Sequence, residues 1–102
     1  MKRVRAVRGA TTVQKDERQE ILLATKEVFS KIIEENKIEP DDLVSAIFTV
    51  TPDLTAAFPA EAVRLLGYTE LPLLDTMEMQ VPGALPMCIR VLIHYYTESS
   101  LE

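Results

Sequence analysis

Residues 88–93 form an apolar run that is interrupted by one arginine, Arg90. A short run rich in β-branched residues indicates a strand with at least one face in the core. Burying an unpaired charge is costly, so a permanent cation in this place needs an anionic partner. Arg8 has a similar setting, because it follows the strand-like stretch Val4–Val7 and precedes Gly9. Two guanidinium groups on strands of an acidic chain suggest a pocket for a small polyanion.

The overall charge limits the possible partners. The chain has 102 residues, enough for one domain over residues 1–102, and a formal net charge of −5. This charge argues against binding to nucleic acid or to an anionic membrane surface. The single cysteine excludes an internal disulfide and fits a reducing compartment. We therefore expect a cytoplasmic protein that contacts neither nucleic acid nor membrane.

Apolar spacing and chain breakers predict the order β-α-β-α-β-β. Strands are expected over residues 3–8, 43–50, 71–74 and 89–96, with loops over residues 9–12 and 75–87. A long helix should begin at Asp16 as its N-cap and fade near Asn36, and a short one should cover residues 60–66 after Pro59. The dense apolar content of residues 43–50 suggests burial on both faces of that strand. This order favours an α+β fold with helices on one face of a mixed sheet.

Two helices are few for such a sheet, so apolar surface should remain exposed. Phe58, Tyr95 and Tyr96 are available for burial against another copy of the chain. A symmetric homo-oligomer is the expected consequence.

The familiar catalytic constellations are absent from the sequence. One histidine and one cysteine do not make a metal site, and no nucleophile motif accompanies them. We expect His94 to be a half-buried strand residue and Cys88 a small core residue. Arg90 could extend to solvent at a sheet edge or reach into a cleft, and spacing alone favours neither. Glu78 and Arg64, taken singly, are typical of surface charges.

Four short blocks in order resemble the monofunctional bacterial chorismate mutases of the AroH (Bacillus) type. They are Arg8–Thr12, Thr51–Leu54, Phe58–Ala60 and Cys88–Val91, with Glu78 before the last block. The resemblance covers the chain from Val4 to about Thr97. It implies a homotrimer shaped as a pseudo-α/β-barrel, with active sites at the subunit interfaces. It also implies rearrangement of chorismate to prephenate, in phenylalanine and tyrosine biosynthesis, with no cofactor or metal.

The resemblance further implies roles for individual residues. Arg90 would lie beside the breaking ether oxygen and a substrate carboxylate, Arg8 would hold the second carboxylate, and Glu78 would accept the substrate's ring hydroxyl. The walls of the site would come from a larger group, in part supplied by the neighbouring subunit: Phe58, Ala60, Arg64, Leu73 and Leu74.

Two positions depart from the family pattern, and the end of the chain differs as well. Glu61 stands where the family has lysine, and Asp75 where it has a cysteine that bonds the substrate hydroxyl. We expect both to tune binding, with Asp75 and Glu78 close enough to raise the pKa of one carboxyl. Family members continue with a tail that brings a tyrosine and an arginine to the site. A chain that ends at Glu102 is expected to trimerise but to bind substrate more weakly.

Two other functions remain possible from the residues alone. One is a non-catalytic trimeric module that binds a small dicarboxylate through the same arginine pocket. The other is an enamine or imine hydrolase of the YjgF type, which shares a trimeric architecture and an interfacial arginine. Fold similarity does not choose among these functions.

Overall fold

A four-stranded mixed sheet carries two α-helices on one face in the computed structural model, which describes residues 1–98. The elements in chain order are β1 (Arg3–Thr12), α1 (Arg18–Glu35), a 3-10 turn (Pro40–Asp42), β2 (Leu43–Val50), α2 (Pro59–Leu65), β3 (Leu73–Met77) and β4 (Cys88–Thr97). The expected α+β class and element order are confirmed. Within the described range, neither helix has the length and apolar character needed to cross a membrane.

The sheet has the strand order β1-β4-β2-β3. The last strand, β4, lies between β1 and β2 and is antiparallel to both. Strands β2 and β3 are parallel, and α2 makes the crossover that parallel neighbours require. β1 and β3 are therefore the edge strands, and Arg90 lies on β4, one of the two central strands.

The core lies between the sheet and the helices. Ile89, Val91 and Ile93 of β4 are buried, as are Ala46 and Phe48 of β2. The helical stripe contributes Ile21, Thr25, Phe29 and Ile32, all of them buried as predicted, whereas Val28 and Ile33 are half-buried. The prediction that β2 is buried on both faces is wrong. Ala46 and Phe48 on the helix side are buried and the other six residues are half-buried, because both helices pack on the same side of the sheet.

Strand β1 continues to Thr12, past the point where the sequence predicted a small-residue loop. Pairing with β4 is unbroken from Arg3↔Thr97 to Thr12↔Cys88. Gly9 is needed inside this strand because α1 crosses it closely. A Cβ atom at Gly9 would lie 2.7 Å from Ile32 Cδ1. The glycine marks a close helix–sheet approach rather than a chain break.

Asp16 does not cap α1, contrary to the prediction. The N-cap position is Glu17, and it makes no capping hydrogen bond through its side chain. Asp16 instead accepts hydrogen bonds from the backbone N–H groups of Thr55 and Ala56, at 2.9 and 3.0 Å, and from Thr55 Oγ1 at 2.7 Å. These bonds, that from Thr55 Oγ1 foremost, lower the pKa of Asp16. They tie the start of α1 to the loop before α2.

Strand β3 begins two residues later than predicted and ends three residues later. Residues 73–77 pair in parallel with residues 46–50, whereas Pro72 only precedes the strand. Proline has no N–H to donate to a ladder, so the strand starts after it. The loop predicted from residue 75 therefore starts at Glu78.

Among residues 1–98, no helix covers the second face of the sheet. Alternation places Arg8, Arg90, Leu92 and His94 on this open face. Its apolar members include Val4, Leu74 and Tyr96, all exposed.

Candidate active site on the open face of the sheet

Arg90 projects from the open face with a carboxylate beside it. Its neighbours Ile89 and Val91 point into the core, so strand alternation directs Arg90 to the opposite side. Arg90 Nε lies 2.8 Å from Glu78 Oε1, and the Arg90 side chain is 48% exposed. The anionic partner expected for this cation is present. The remaining guanidinium nitrogens carry most of its N–H donors.

Glu78 is held in place at the end of β3. Its N–H donates to Val50 O at 2.9 Å, which extends the pairing of β2 and β3 by one residue. Its Oε1 accepts a hydrogen bond of 2.5 Å from Thr49 Oγ1. Thr49 lies opposite Arg90 in the β2–β4 register. Sequence reasoning missed Thr49, because only the strand register brings it beside Arg90 and Glu78.

Arg8 lies on the same face as Arg90, on the adjacent strand. The register pairs Arg8 with Leu92 and Arg90 with Ala10, so the two arginines are diagonal neighbours. Diagonal Cα positions across an antiparallel pair are about 7–8 Å apart. These two cations, with the one carboxylate of Glu78 beside Arg90, leave a local positive charge on an acidic protein. Such a cluster is suited to a ligand with two carboxylates.

A second group of the expected site residues lies around the start of α2. Phe58 is 69% exposed just before the helix, and Arg64 is exposed near its end. The N–H of Ala60 donates to Asp75 Oδ1 at 3.0 Å, and the Ala60 side chain is fully buried. Glu61 pairs with Arg18 at the start of α1. Ala60 therefore contributes a backbone contact to this group, and its methyl belongs to the core.

Asp75 lies on the helix-facing side of β3, opposite Phe48. Burial raises its pKa, while the hydrogen bond from Ala60 and the charge of Arg64 act in the opposite direction. The expectation that Glu78 raises the pKa of Asp75 is wrong, because burial raises it and Glu78 is not among the groups that act on Asp75. Glu78 instead faces Arg90 and Thr49 on the other side of the sheet.

A cavity of about 450 Å³ opens beside this second group. Its lining includes Arg18, Phe58, Glu61, Asp75, Thr76 and Met77. Thr76 pairs with Thr49, which pairs with Arg90, so one row of residues leads across the sheet from the cavity to the cation.

The two leucines expected as apolar walls lie on opposite sides of β3. Leu73 packs against the core, whereas Leu74 is 59% exposed on the open face. Strand alternation separates adjacent residues in this way. Only Leu74 shares a face with Arg90 and Arg8.

The other polar candidates are structural in this chain. His94 is half-buried with Nδ1 3.4 Å from Ser45 Oγ, and Cys88 is fully buried, which raises the pKa of its thiol. Both agree with the predictions made for them. Within residues 1–98, no three His, Cys, Asp or Glu side chains are grouped so that they could hold a metal ion.

Comparisons with known proteins agree with the resemblance noted in the sequence. The family model for chorismate mutase type I matches residues 4–102. The chorismate mutase AroH of Bacillus subtilis (strain 168) is 48% identical over 96 residues, 93% of this chain and 76% of that protein. The chorismate mutase AroH of Thermus thermophilus is 48% identical over 97 residues, covering 94% and 80%. A solved structure, chorismate mutase from Clostridium thermocellum Cth-682, has a TM-score of 0.92, 46% identity and coverage of 94% of this chain and 86% of that one. The chain belongs to the chorismate mutase type I family.

Proposed function

We propose that this chain, a chorismate mutase by family, rearranges chorismate to prephenate between Arg90, Glu78 and Arg8 on the open face. The observation that carries the proposal is the Arg90–Glu78 ion pair, with Arg8 diagonal to it on the neighbouring strand. The alternative of a non-catalytic dicarboxylate-binding module is weaker, because the matching relatives are named as enzymes.

The reaction makes modest chemical demands on the protein. Within one molecule an ether C–O bond breaks and a C–C bond forms, and no proton or group passes to the enzyme. The site has to hold the substrate in its folded, chair-like conformer and to stabilise the negative charge that develops on the ether oxygen. A cation whose position is fixed beforehand does this without reorganisation. Arg90, braced by Glu78 and through it by Thr49, is such a cation.

The carboxylate and the second arginine have complementary roles. Glu78 Oε1 already accepts from Thr49 and forms the ion pair with Arg90, so Oε2 is left to accept the ring hydroxyl of the substrate. Arg8 binds the second substrate carboxylate through its planar fork of N–H donors. No cofactor and no metal enters this mechanism.

The active assembly in this proposal is a homotrimer, with one site at each subunit interface. Two features support it. The open face exposes apolar residues that a second copy would cover, among them Val4, Leu74 and Tyr96. Within one copy the cavity beside Phe58 and the Arg90 cluster lie at the two ends of the row through Thr76 and Thr49, and a neighbouring copy would bring its own cavity up to the cluster. A cytoplasmic location completes the proposal and is consistent with the unpaired, buried thiol of Cys88.

Subunit complementation tests the interfacial site. Arg90→Ala removes the cation from one half, and Phe58→Asp places a carboxylate in the other half. Each variant alone is expected to be nearly inactive, measured as loss of chorismate absorbance. After the two are unfolded together and refolded, mixed trimers contain some interfaces with both halves intact, so part of the turnover returns.

Three outcomes would contradict the proposal. Mixed trimers that stay inactive would mean that the site lies within one chain. A monomeric mass in light scattering would mean that no subunit interface forms. A wild-type chain that binds chorismate without turning it over would support the non-catalytic alternative. The control is Glu27→Ala, an exposed change on the side of α1 opposite its buried stripe, which should leave activity and assembly unchanged.

A further inference from the structure

Negative charges in the wall of the cavity beside Phe58 are unfavourable for an anionic ligand. Two carboxylates, Glu61 and Asp75, line it. The ligand of the proposed function is itself a dianion, so an uncompensated carboxylate in the wall would oppose binding. Among the residues that line this cavity, Arg18 carries the compensating positive charge.

Arg18 reaches this cavity from another element. It is the first residue of α1, whereas Glu61 lies in the first turn of α2. Arg18 Nη2 donates to Glu61 Oε2, and both side chains are partly exposed. The hydrogen bonds from Thr55 and Ala56 to Asp16 anchor the chain two residues before Arg18. The guanidinium is thus held at the cavity by the packing of the two helix starts.

Because the Arg18–Glu61 pair is partly exposed, we expect it to affect ligand binding more than folding stability. Partly exposed ion pairs contribute little to folding, because solvent screens them and side-chain entropy opposes them. A nearby dianion, however, responds to each unit of unbalanced charge in the wall. At separations of about 7 Å, even in a water-like dielectric, one uncompensated carboxylate weakens the binding of a dianion about three- to tenfold.

We propose that Arg18 determines substrate affinity by neutralising Glu61 in the wall of the cavity. It is a positioning residue and acts on the ligand through the charge of the wall. This inference rests on the proposed function, because it takes a dianionic substrate as the ligand.

The two partners of the pair give opposite predictions, and this distinguishes the proposal from a structural role. Arg18→Gln leaves Glu61 unpaired, so KM for chorismate should rise about three- to tenfold while kcat changes less than twofold. Glu61→Gln leaves the cation in excess, so KM should fall or stay the same. The double variant should return KM to within about twofold of the wild type. Lys26→Gln, two turns further along α1 and outside the lining of this cavity, is the control with the same loss of charge.

A merely structural pair would behave differently. In that case both single variants would raise KM and lower the Tm together, and this result would overturn the proposal. An unchanged KM in Arg18→Gln, or an equal rise in Lys26→Gln, would overturn it as well. The Kd of prephenate, measured by calorimetry, should follow the same order and provides a readout that does not need turnover.

Failure of this inference can be told apart from failure of the proposed function. If Arg90→Ala abolishes turnover and Arg18→Gln leaves KM unchanged, the assigned mechanism stands and only the role of Arg18 is wrong. If the wild-type protein lacks turnover, the proposed function is wrong. If Arg18→Gln then also binds prephenate with the same Kd as the wild type, the role of Arg18 is wrong too.

Discussion

Thr49 offers a direct test of whether the Arg90 cluster is preorganised. Its hydroxyl donates a 2.5 Å hydrogen bond to Glu78 Oε1, the same oxygen that contacts Arg90 Nε. Thr49→Val removes the hydroxyl while keeping nearly the same shape. The Glu78 carboxylate would then lose one of the two contacts that orient it towards Arg90.

The size of the effect follows from the charge and the burial of the acceptor. Hydrogen bonds to charged groups contribute about 1.5–3 kcal/mol, and the lower end applies here because both partners are only partly buried. Each ~1.4 kcal/mol corresponds to a factor of ten in rate. We therefore expect kcat/KM to fall about tenfold. Most of the loss should appear in kcat, because the bond supports the geometry of the transition state more than it supports binding.

The assay is the loss of chorismate absorbance, with kcat and KM determined separately. Thr49→Ser keeps the hydroxyl and should retain most of the activity. Equal Tm values for the valine and serine variants would show that the fold is intact. Two results would refute the reasoning: a valine variant with wild-type kcat, or a serine variant as impaired as the valine variant.

Two further predictions concern the fold around the site. Asp75→Asn should raise the Tm at neutral pH. Burial raises the pKa of Asp75 in the native state above its ordinary value. Ionisation of Asp75 therefore destabilises the native state. This loss of stability develops as the pH rises from about 4, the ordinary Asp value, through the higher folded pKa. The gain should therefore disappear in thermal melts near pH 4, and a gain that persists there would contradict the assignment to ionisation. Gly9→Ala should lower the free energy of unfolding by about 1–2 kcal/mol, because the new Cβ would lie 2.7 Å from Ile32 Cδ1. Ile32→Val removes that atom. In urea unfolding, the double variant should therefore lose less free energy of unfolding than the two single variants lose in sum. Strict additivity would argue against the clash.

The fold was largely predictable because its signals are local. The spacing of Ile21, Thr25, Phe29 and Ile32 identifies the buried stripe of α1, and Pro59 marks the start of α2. The errors have tertiary causes. Glycine usually interrupts a strand in sequence-based prediction, yet Gly9 lies inside β1, where a helix crosses it closely.

The candidate site was predictable only where one residue carries its own signal. Arg90 stands out as a charge in an apolar run, and the blocks around Arg8 and Phe58 carry the family resemblance. Thr49 and Arg18 have no such signal. Thr49 depends on the β2–β4 register, and Arg18 depends on a contact with Glu61, 43 residues away.

Single-turnover and steady-state kinetics of Arg90→Ala test the central claim most directly. The claim is that a cation fixed beside the breaking ether bond stabilises the transition state. Removing one such preorganised group is expected to lower kcat by about 100- to 1,000-fold, equivalent to about 3 kcal/mol or more. Arg90→Lys, which keeps the charge but loses the planar fork, should fall between this variant and the wild type. An Arg90→Ala protein that folds, assembles and turns chorismate over at a near-normal kcat would contradict the account.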